Sequence, residues 1–132
     1  MEGSHLTFPW RPVAISRSYV NRCRQTVTHV TIPTSVKTIK HGAFDECISL
    51  TDVVIPPSVT AIEYQAFGLC HKLTHVEIPE SVESIGAQAF ASTPLIHANI
   101  PPSVTNIGWH AFNYCDPNLV LDFGPVENFN RL

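Results

Sequence analysis

The chain lacks the long apolar runs, the charge density and the catalytic motifs that would assign it to a functional class. No run approaches the roughly 20 apolar residues of a membrane-spanning helix, which disfavours membrane insertion. Charged residues make up only 14% of the 132 residues and apolar residues 44%, a balance that argues against disorder. No nucleophile elbow, phosphate-binding loop or dinucleotide-binding glycine motif occurs, so no enzyme activity and no cofactor are predicted.

Sequence features that would fix the cellular compartment are also missing. The first residues lack the apolar core of a signal peptide, because Arg11 and Arg17 interrupt it. No N-x-S/T acceptor occurs either, so glycosylation gives no sign of secretion. An intracellular protein and a chain that begins after a removed leader are both open alternatives.

Internal repetition is what the chain has in abundance. The stretch Thr51–Leu73 (TDVVIPPSVTAIEYQAFGLCHKL) returns with variations in Val27–Leu50, Thr74–Leu95 and Ile96–Leu119. One isoleucine and one phenylalanine anchor each copy, and both sets are spaced by 23, 23 and 22 residues. The anchors are Ile32, Ile55, Ile78 and Ile100, and Phe44, Phe67, Phe90 and Phe112. Such a period predicts a solenoid whose units bury their apolar faces against one another.

The first half of each copy is typical of a strand. Around Ile55 the residues alternate, with Val53 inward and Asp52 and Val54 outward. Pro56 then ends the strand, because proline cannot donate to a hydrogen-bonded ladder. A serine follows Pro-x in all four copies, and a catalytic serine is needed only once, so these serines are predicted to be structural.

The second half of each copy is predicted to complete the coil. Val59 and Ile62 indicate a second short extended piece. The spacing of Ala66, Phe67 and Cys70 predicts one helical turn on the outer side, with the phenylalanine at the centre of the coil.

The repeat L-T-x-V-x-I-P-x-S-V-x-x-I-x-x-x-A-F-x-x-C-x-x-L resembles the leucine-rich repeats of the BspA-like type. The resemblance covers about Val27–Phe123, with a degenerate unit before it. It implies an α/β solenoid with parallel strands on one face and short extended pieces and single helical turns on the others. It also implies a surface for protein binding or adhesion, often outside the cell or at the cell surface.

The four repeats are predicted at 27–50, 51–73, 74–95 and 96–119. Residues 1–26 are predicted to form a degenerate capping repeat, in which His5–Pro9 aligns with His29–Pro33. In that alignment Val13, Ile15 and Val20 fall near Val36, Ile39 and Phe44.

Residues 120–132 are predicted to form a terminal strand and a C-terminal tail. The strand ends at Gly124-Pro125. Phe129 and Leu132 of the tail are then candidates to fold over the open end of the solenoid.

Cysteines share one position of the repeat. Cys47, Cys70 and Cys115 occupy it, and Thr93 replaces them in the third copy. Parallel coils seldom give the converging Cβ vectors of a disulfide, and no C-x-x-C pair indicates a structural zinc site. The pattern predicts a column of small buried thiols.

Charge is distributed unevenly along the chain. Residues 1–41 carry six basic side chains against Glu2, a net charge of +5, and residues 42–132 carry two against ten acids, a net charge of −8. A solvated cap face is the favoured interpretation, and nucleic acid is disfavoured because no aromatics interleave the basic residues. Head-to-tail contact between the ends, giving a homo-oligomer, is an open alternative.

Outward strand positions form two columns that are the main candidates for binding. The first reads His29, Asp52, His75 and His97, extended by His5 if the cap aligns; the second reads Thr31, Val54, Glu77 and Asn99. A polar recognition stripe is the favoured interpretation. The chemical alternative is a zinc site on Asp52, His75 and His97. His71 and His75 match H-x-x-x-H spacing, but they flank the start of a strand, where their rings should diverge.

A rim position two residues after the second isoleucine holds His41, Tyr64, Ala87 and Trp109. Its aromatics, Tyr64 and Trp109, are candidates to anchor a partner; the alternative is that they only cover the neighbouring coil. The sequence therefore predicts a non-enzymatic protein–protein recognition or adhesion module that presents its outward strand face. A self-assembling structural element and a metal-binding module are the alternatives.

Overall fold

The computed structural model describes residues 5–8 and 10–124, and these wind into a solenoid of short parallel strands. One strand of each coil lies on the first side: β1 (His5–Leu6), β3 (His29–Thr31), β5 (Asp52–Val54), β7 (His75–Val76), β9 (His97–Asn99) and β11 (Val120–Asp122). The second side holds β2 (Ala14–Ile15), β4 (Thr38–Ile39), β6 (Ala61–Ile62), β8 (Ser84–Ile85) and β10 (Asn106–Ile107). The first coil adds α1 (Arg17–Val20) and a 3-10 helix (Asn21–Cys23).

Parallel pairing joins each coil to the next, which confirms the predicted fold. The second side is one five-stranded sheet in the order β2-β4-β6-β8-β10. The first side consists of two three-stranded sheets, β1-β3-β5 and β7-β9-β11. Within the described residues the hydrogen-bonded ladder is interrupted between β5 and β7, although these strands are in contact.

The third side of each coil differs locally from the helical turn that the sequence suggested. Helix occurs here only in the first of the described coils. In the second full repeat, Ala66 donates to Glu63 O within its own coil (3.1 Å), and Phe67 donates to Ala89 O of the next coil (2.8 Å). Gln65 (φ 54°) and Leu69 (φ 59°) adopt left-handed conformations on either side. This alternation turns every second amide towards a neighbouring coil, which a helix would not allow.

Phenylalanine rings form the spine of the core. The ring centroids of Phe44 and Phe67, and of Phe67 and Phe90, lie 5.2 Å apart with interplanar angles of 7° and 3°. Phe90 and Phe112 stack at 5.5 Å. Phe44, Phe67 and Phe90 are fully buried, whereas Phe112, in the last coil, is partly exposed. Columns of isoleucine, valine and leucine pack around this spine.

The N-terminal coil follows the predicted alignment with the repeat in part. Ile15 pairs in register with Ile39, and buried Val20 takes the place of the phenylalanine. The expected position of Val13 is wrong: its side chain is 65% exposed, and Pro12 is buried instead. The register places Val13 opposite Lys37 rather than opposite Val36.

Aromatic side chains cover part of this cap. Tyr19 stacks on Phe8 at 4.9 Å, and Trp10 meets Tyr19 edge-on at 5.2 Å. Trp10 has no counterpart in the repeat, as expected for a residue specific to a cap.

Two arginines of the cap hold the first repeat and are not simply solvated. Arg17 Nη1 lies 3.3 Å from Asp45 Oδ2, and its Nη2 lies 3.6 Å from Glu46 Oε1. Arg24, only 8% exposed, donates to Asp45 O and to Arg17 O. Part of the basic charge of residues 1–41 therefore attaches the cap to the next coil.

The last described strand, β11, pairs with β9 in parallel. Phe123 is partly buried against the core. The predicted tail, including Phe129 and Leu132, lies outside the described residues.

Cysteines line a column as free thiols, of which Cys23, Cys47 and Cys70 are buried and Cys115 is partly buried. Cys70 Sγ donates to Phe44 O (3.2 Å) and Cys115 Sγ to Phe90 O (3.3 Å). Thr93, which replaces cysteine, donates its hydroxyl to Phe90 O at 2.8 Å. The position thus suits a small side chain that donates to the backbone of the spine. Burial raises the pKa of Cys47 from its ordinary 9.0 to about 12.

Truncation of the central ring should destabilise the protein strongly. We expect Phe67→Ala to lower the free energy of unfolding by about 3–5 kcal/mol, because it opens a cavity between two stacked rings. Urea denaturation followed by circular dichroism measures this. Phe112→Ala, at the half-buried end of the spine, should cost less. Equal losses of stability in the two variants would contradict the expectation that the more buried ring contributes more.

The raised thiol pKa predicts a loss of stability in alkali. Above pH 9.0 the unfolded Cys47 thiol loses a proton that the folded protein retains until about pH 12. Stability should therefore fall across this window by up to about 1.4 kcal/mol per pH unit for such a thiol, with no effect below it. Denaturation of wild type and Cys47→Thr at a series of pH values measures the contribution. A variant with an unchanged slope above pH 9.0 would disprove it.

Candidate functional site

The strand positions of the first column face outward in register. His5 pairs with His29, His29 with Asp52, and His75 with His97. The predicted extension of the column to His5 is confirmed, and Val120 continues it beyond His97. All are exposed except His97, which is half-buried.

The imidazole of His29 has a partner at each nitrogen. Nε2 lies 3.0 Å from Asp52 Oδ2, and Nδ1 lies 2.7 Å from Thr28 Oγ1. Asp52 Oδ2 also accepts the Thr51 hydroxyl at 3.1 Å, and the His5 ring lies 6.3 Å from the His29 ring. This half of the column is a small polar network that fixes the orientation of its side chains.

The other half of the column contains less connected side chains. Thr74 Oγ1 lies 3.0 Å from His75 Nδ1. Among the described residues, no group of three or more His, Cys, Asp and Glu side chains could hold a metal ion. Asp52, His75 and His97 therefore do not form a zinc site, and Asp52 pairs with His29 instead.

In the second column, Asn99 has a structural role that its sequence position did not indicate. Its Oδ1 accepts from Ile78 N, and its Nδ2 donates to Ile78 O, both at 2.8 Å. At the same place in other coils, Ile32 and Ile100 donate to backbone oxygens of the next coil. The carboxamide replaces that backbone contact, so it is not free for a partner.

The remaining members of the second column are available on the surface. Thr31 pairs with Val54 in register, and Val54 is 57% exposed. Glu77 is exposed just after β7. The first side therefore combines charged, hydroxyl and apolar groups on stacked strands.

The rim aromatics lie apart from this face. Tyr64 and Trp109 follow β6 and β10 on the second side, are 49% and 73% exposed, and are separated by the coil that carries Ala87. The Trp109 ring packs against His110, with centroids 3.8 Å apart. The structure thus does not bring these aromatics together with the strand columns.

Two concavities lie away from both sets of predicted residues. A cavity of about 560 Å³ at the cap is lined by Leu6, Thr7, Ser18, Tyr19, Arg22 and Cys23. A second, of about 300 Å³, lies where the third coil meets its neighbours, and His71, Pro94, Tyr114 and Asp116 are among its lining residues. The sequence signal for the second was the connection after Thr93, which is shorter than those after Cys70 and Cys115.

The fold and the repeat together define a class, the leucine-rich-repeat solenoids. Six copies of the family model for the BspA type leucine rich repeat region match residues 4–120. The chain therefore belongs to the BspA-type leucine-rich repeat family. Within the described ranges, no helix combines the length and apolar character needed to cross a membrane.

Solved bacterial structures are similar to this chain. A leucine rich cell surface protein of Faecalibacterium prausnitzii shares 29% identity over 96% of the chain, with a TM-score of 0.86. A leucine-rich repeat protein of Bacteroides ovatus shares 30% over 92% (TM-score 0.78), and one of T. pallidum 29% over 89% (TM-score 0.79). The chain spans 34%, 33% and 56% of these proteins. No curated protein matches it.

The two hydrogen bonds from the Asn99 carboxamide to the Ile78 backbone predict that removing this side chain lowers stability. We expect Asn99→Ala to cost about 1–3 kcal/mol, because it leaves the N–H and C=O of buried Ile78 without their partner. Thr31→Ala, in the same column but exposed, should stay within about 0.5 kcal/mol of wild type. Thermal and urea denaturation of both variants provide the comparison. A neutral Asn99→Ala would show that water replaces the carboxamide at no cost.

Proposed function

We propose that the chain is a non-enzymatic module for protein–protein recognition or adhesion, which binds through the outward strand face of its first side. The contact residues are His29, Thr31, Asp52, Val54, His75, Glu77 and His97, with Asn99 holding the backbone beneath them. The observation that carries the proposal is the register of the outward columns within β1-β3-β5 and within β7-β9, in which side chains of paired strands face solvent side by side.

Rigidity supports this assignment. The strands are fixed by inter-coil pairing and by a buried core, so a partner orders few additional groups on binding. A smaller loss of conformational entropy on binding gives a higher affinity for the same contact area. The contacts of the His29 ring with Thr28 and Asp52 also restrict the motion of these side chains.

The composition of the face supports a protein partner. Exposed Val54 offers apolar area, and the acidic and imidazole groups around it offer hydrogen bonds and charge. This mixture is typical of an interface with an apolar centre and a polar rim. Tyr64 and Trp109 belong to a separate region and would serve as a secondary anchor.

Likeness to a leucine rich cell surface protein supports an extracellular or cell-surface location for this function. Because the chain spans a third to just over half of the similar structures, the proposal concerns this solenoid segment alone. Contact between solenoid ends, producing a homo-oligomer, is the competing outcome.

Site-specific photo-crosslinking tests the proposal. A photoreactive amino acid at Val54 should trap a partner from extracts or medium of the source organism, whereas the same group at Glu83, exposed beside β8, should not. Adding Asp52→Lys and His75→Glu should abolish the Val54 adduct without changing the melting temperature. Adducts formed equally at both positions would argue against the strand face. An adduct with a second copy of the chain would favour self-assembly.

A further inference from the structure

The connection between the cysteine position and the following leucine varies in length from coil to coil. Two residues separate Cys70 from Leu73, one residue separates Thr93 from Leu95, and three separate Cys115 from Leu119. The short connection of the third coil thus lies between longer neighbours. The backbone stays continuous there, because Asp116 N donates to Leu95 O at 3.3 Å.

A notch of about 300 Å³ lies at this short connection. His71 of the coil before, Pro94 of the short connection, and Tyr114 and Asp116 of the coil after are among its lining residues. Tyr114 is 80% exposed and has left-handed backbone geometry (φ 59°). A large ring at such a position covers little of the core, so packing does not account for it.

The charge of the notch indicates the chemistry of its ligand. Asp116 carries the fixed charge among the lining residues, and residues 42–132 have a net charge of −8. Lys72, next to His71 in sequence, is not among the residues that line the notch. A carboxylate with no lysine or arginine among its fellow lining residues favours a cationic group.

We propose that the notch binds an arginine side chain of a protein partner. The guanidinium would stack on the face of the Tyr114 ring and donate to the Asp116 carboxylate. A planar guanidinium can stack flat on a ring while its edge donates to a carboxylate, whereas the compact, strongly hydrated ammonium of lysine cannot stack in this way. Asp116 Oδ1 already accepts from Asn118 N at 2.8 Å, which holds the carboxylate in place and leaves its other oxygen available.

The site is separate from the strand face of the proposed function. It lies on the third side of the coils, so either site can fail its test while the other is supported.

Nuclear magnetic resonance titration with three matched peptides tests the arginine site. The probes are acetyl-Gly-Arg-Gly-amide, its citrulline analogue, which has the same shape without the charge, and its lysine analogue. The arginine peptide should shift the amide signals of Ser92, Tyr114 and Asp116 at lower concentration than the other two. An equal response to citrulline or lysine, or none to arginine, would overturn the proposal. A response of these amides to a neutral disaccharide, with no response to the arginine peptide, would also overturn the proposal.

Three variants locate the binding. Asp116→Asn keeps the turn to Asn118 and should weaken arginine binding about fivefold, the upper range for an exposed ion pair. Asp122→Asn is the matched control, because Asp122 Oδ1 accepts from Gly124 N in the same way but lies on β11. It should bind like wild type. Tyr114→Leu, which copies Leu69 at the equivalent left-handed position, should also weaken binding. Equal affinities in Asp116→Asn and Asp122→Asn would refute the assignment.

An insertion tests whether the short connection creates the site. One alanine between Thr93 and Pro94 gives the third coil the connection length of the second and should fill the notch. The insertion should abolish the response to the arginine peptide while the melting transition stays cooperative. Retained binding in a folded insertion variant would contradict the proposal. If the insertion prevents folding, the Asp116 and Tyr114 variants decide the question.

Discussion

Stacking of each coil on the next through backbone hydrogen bonds is the constraint on which this structure depends. It acts on all three sides of the coil, through strand pairs on two sides and through contacts such as Phe67 N to Ala89 O on the third. Once this register is set, equivalent residues lie above one another along the solenoid. Phenylalanine therefore meets phenylalanine at 5.2 Å, and the core is built from columns rather than from scattered contacts.

A column tolerates substitution when the new side chain can make the same contact. Thr93 shows this, because its hydroxyl donates to the same kind of backbone oxygen as the thiols of Cys70 and Cys115. Val20 is fully buried in the first described coil, where the repeat would have phenylalanine. The aromatic group of Phe8, Trp10 and Tyr19 belongs to the cap alone.

Periodicity is also what made much of the fold predictable from sequence. The strands, their register, the phenylalanine spine and the extension of the first column to His5 all follow from residues that recur at a fixed spacing. Features without a period were missed. Alignment by residue type places Val13 inside, yet the register puts Pro12 there. The role of Asn99 depends on a side chain that replaces a backbone contact, and no spacing reveals that.

Side chains at solvent-facing positions are less constrained, because the stacking of the coils depends little on them. Exposed side chains such as Val54 and Tyr114 are therefore not accounted for by the stacking of the coils, and each needs another explanation. For Val54 the explanation offered is a face produced by the period itself, in which equivalent residues line up. For Tyr114 the explanation offered is a departure from the period. The connection of the third coil is shorter than those of its two neighbours, and the notch lies there. A solenoid can thus carry two kinds of recognition site: one is repeated along its length, and the other is unique to the place where the repeat length changes.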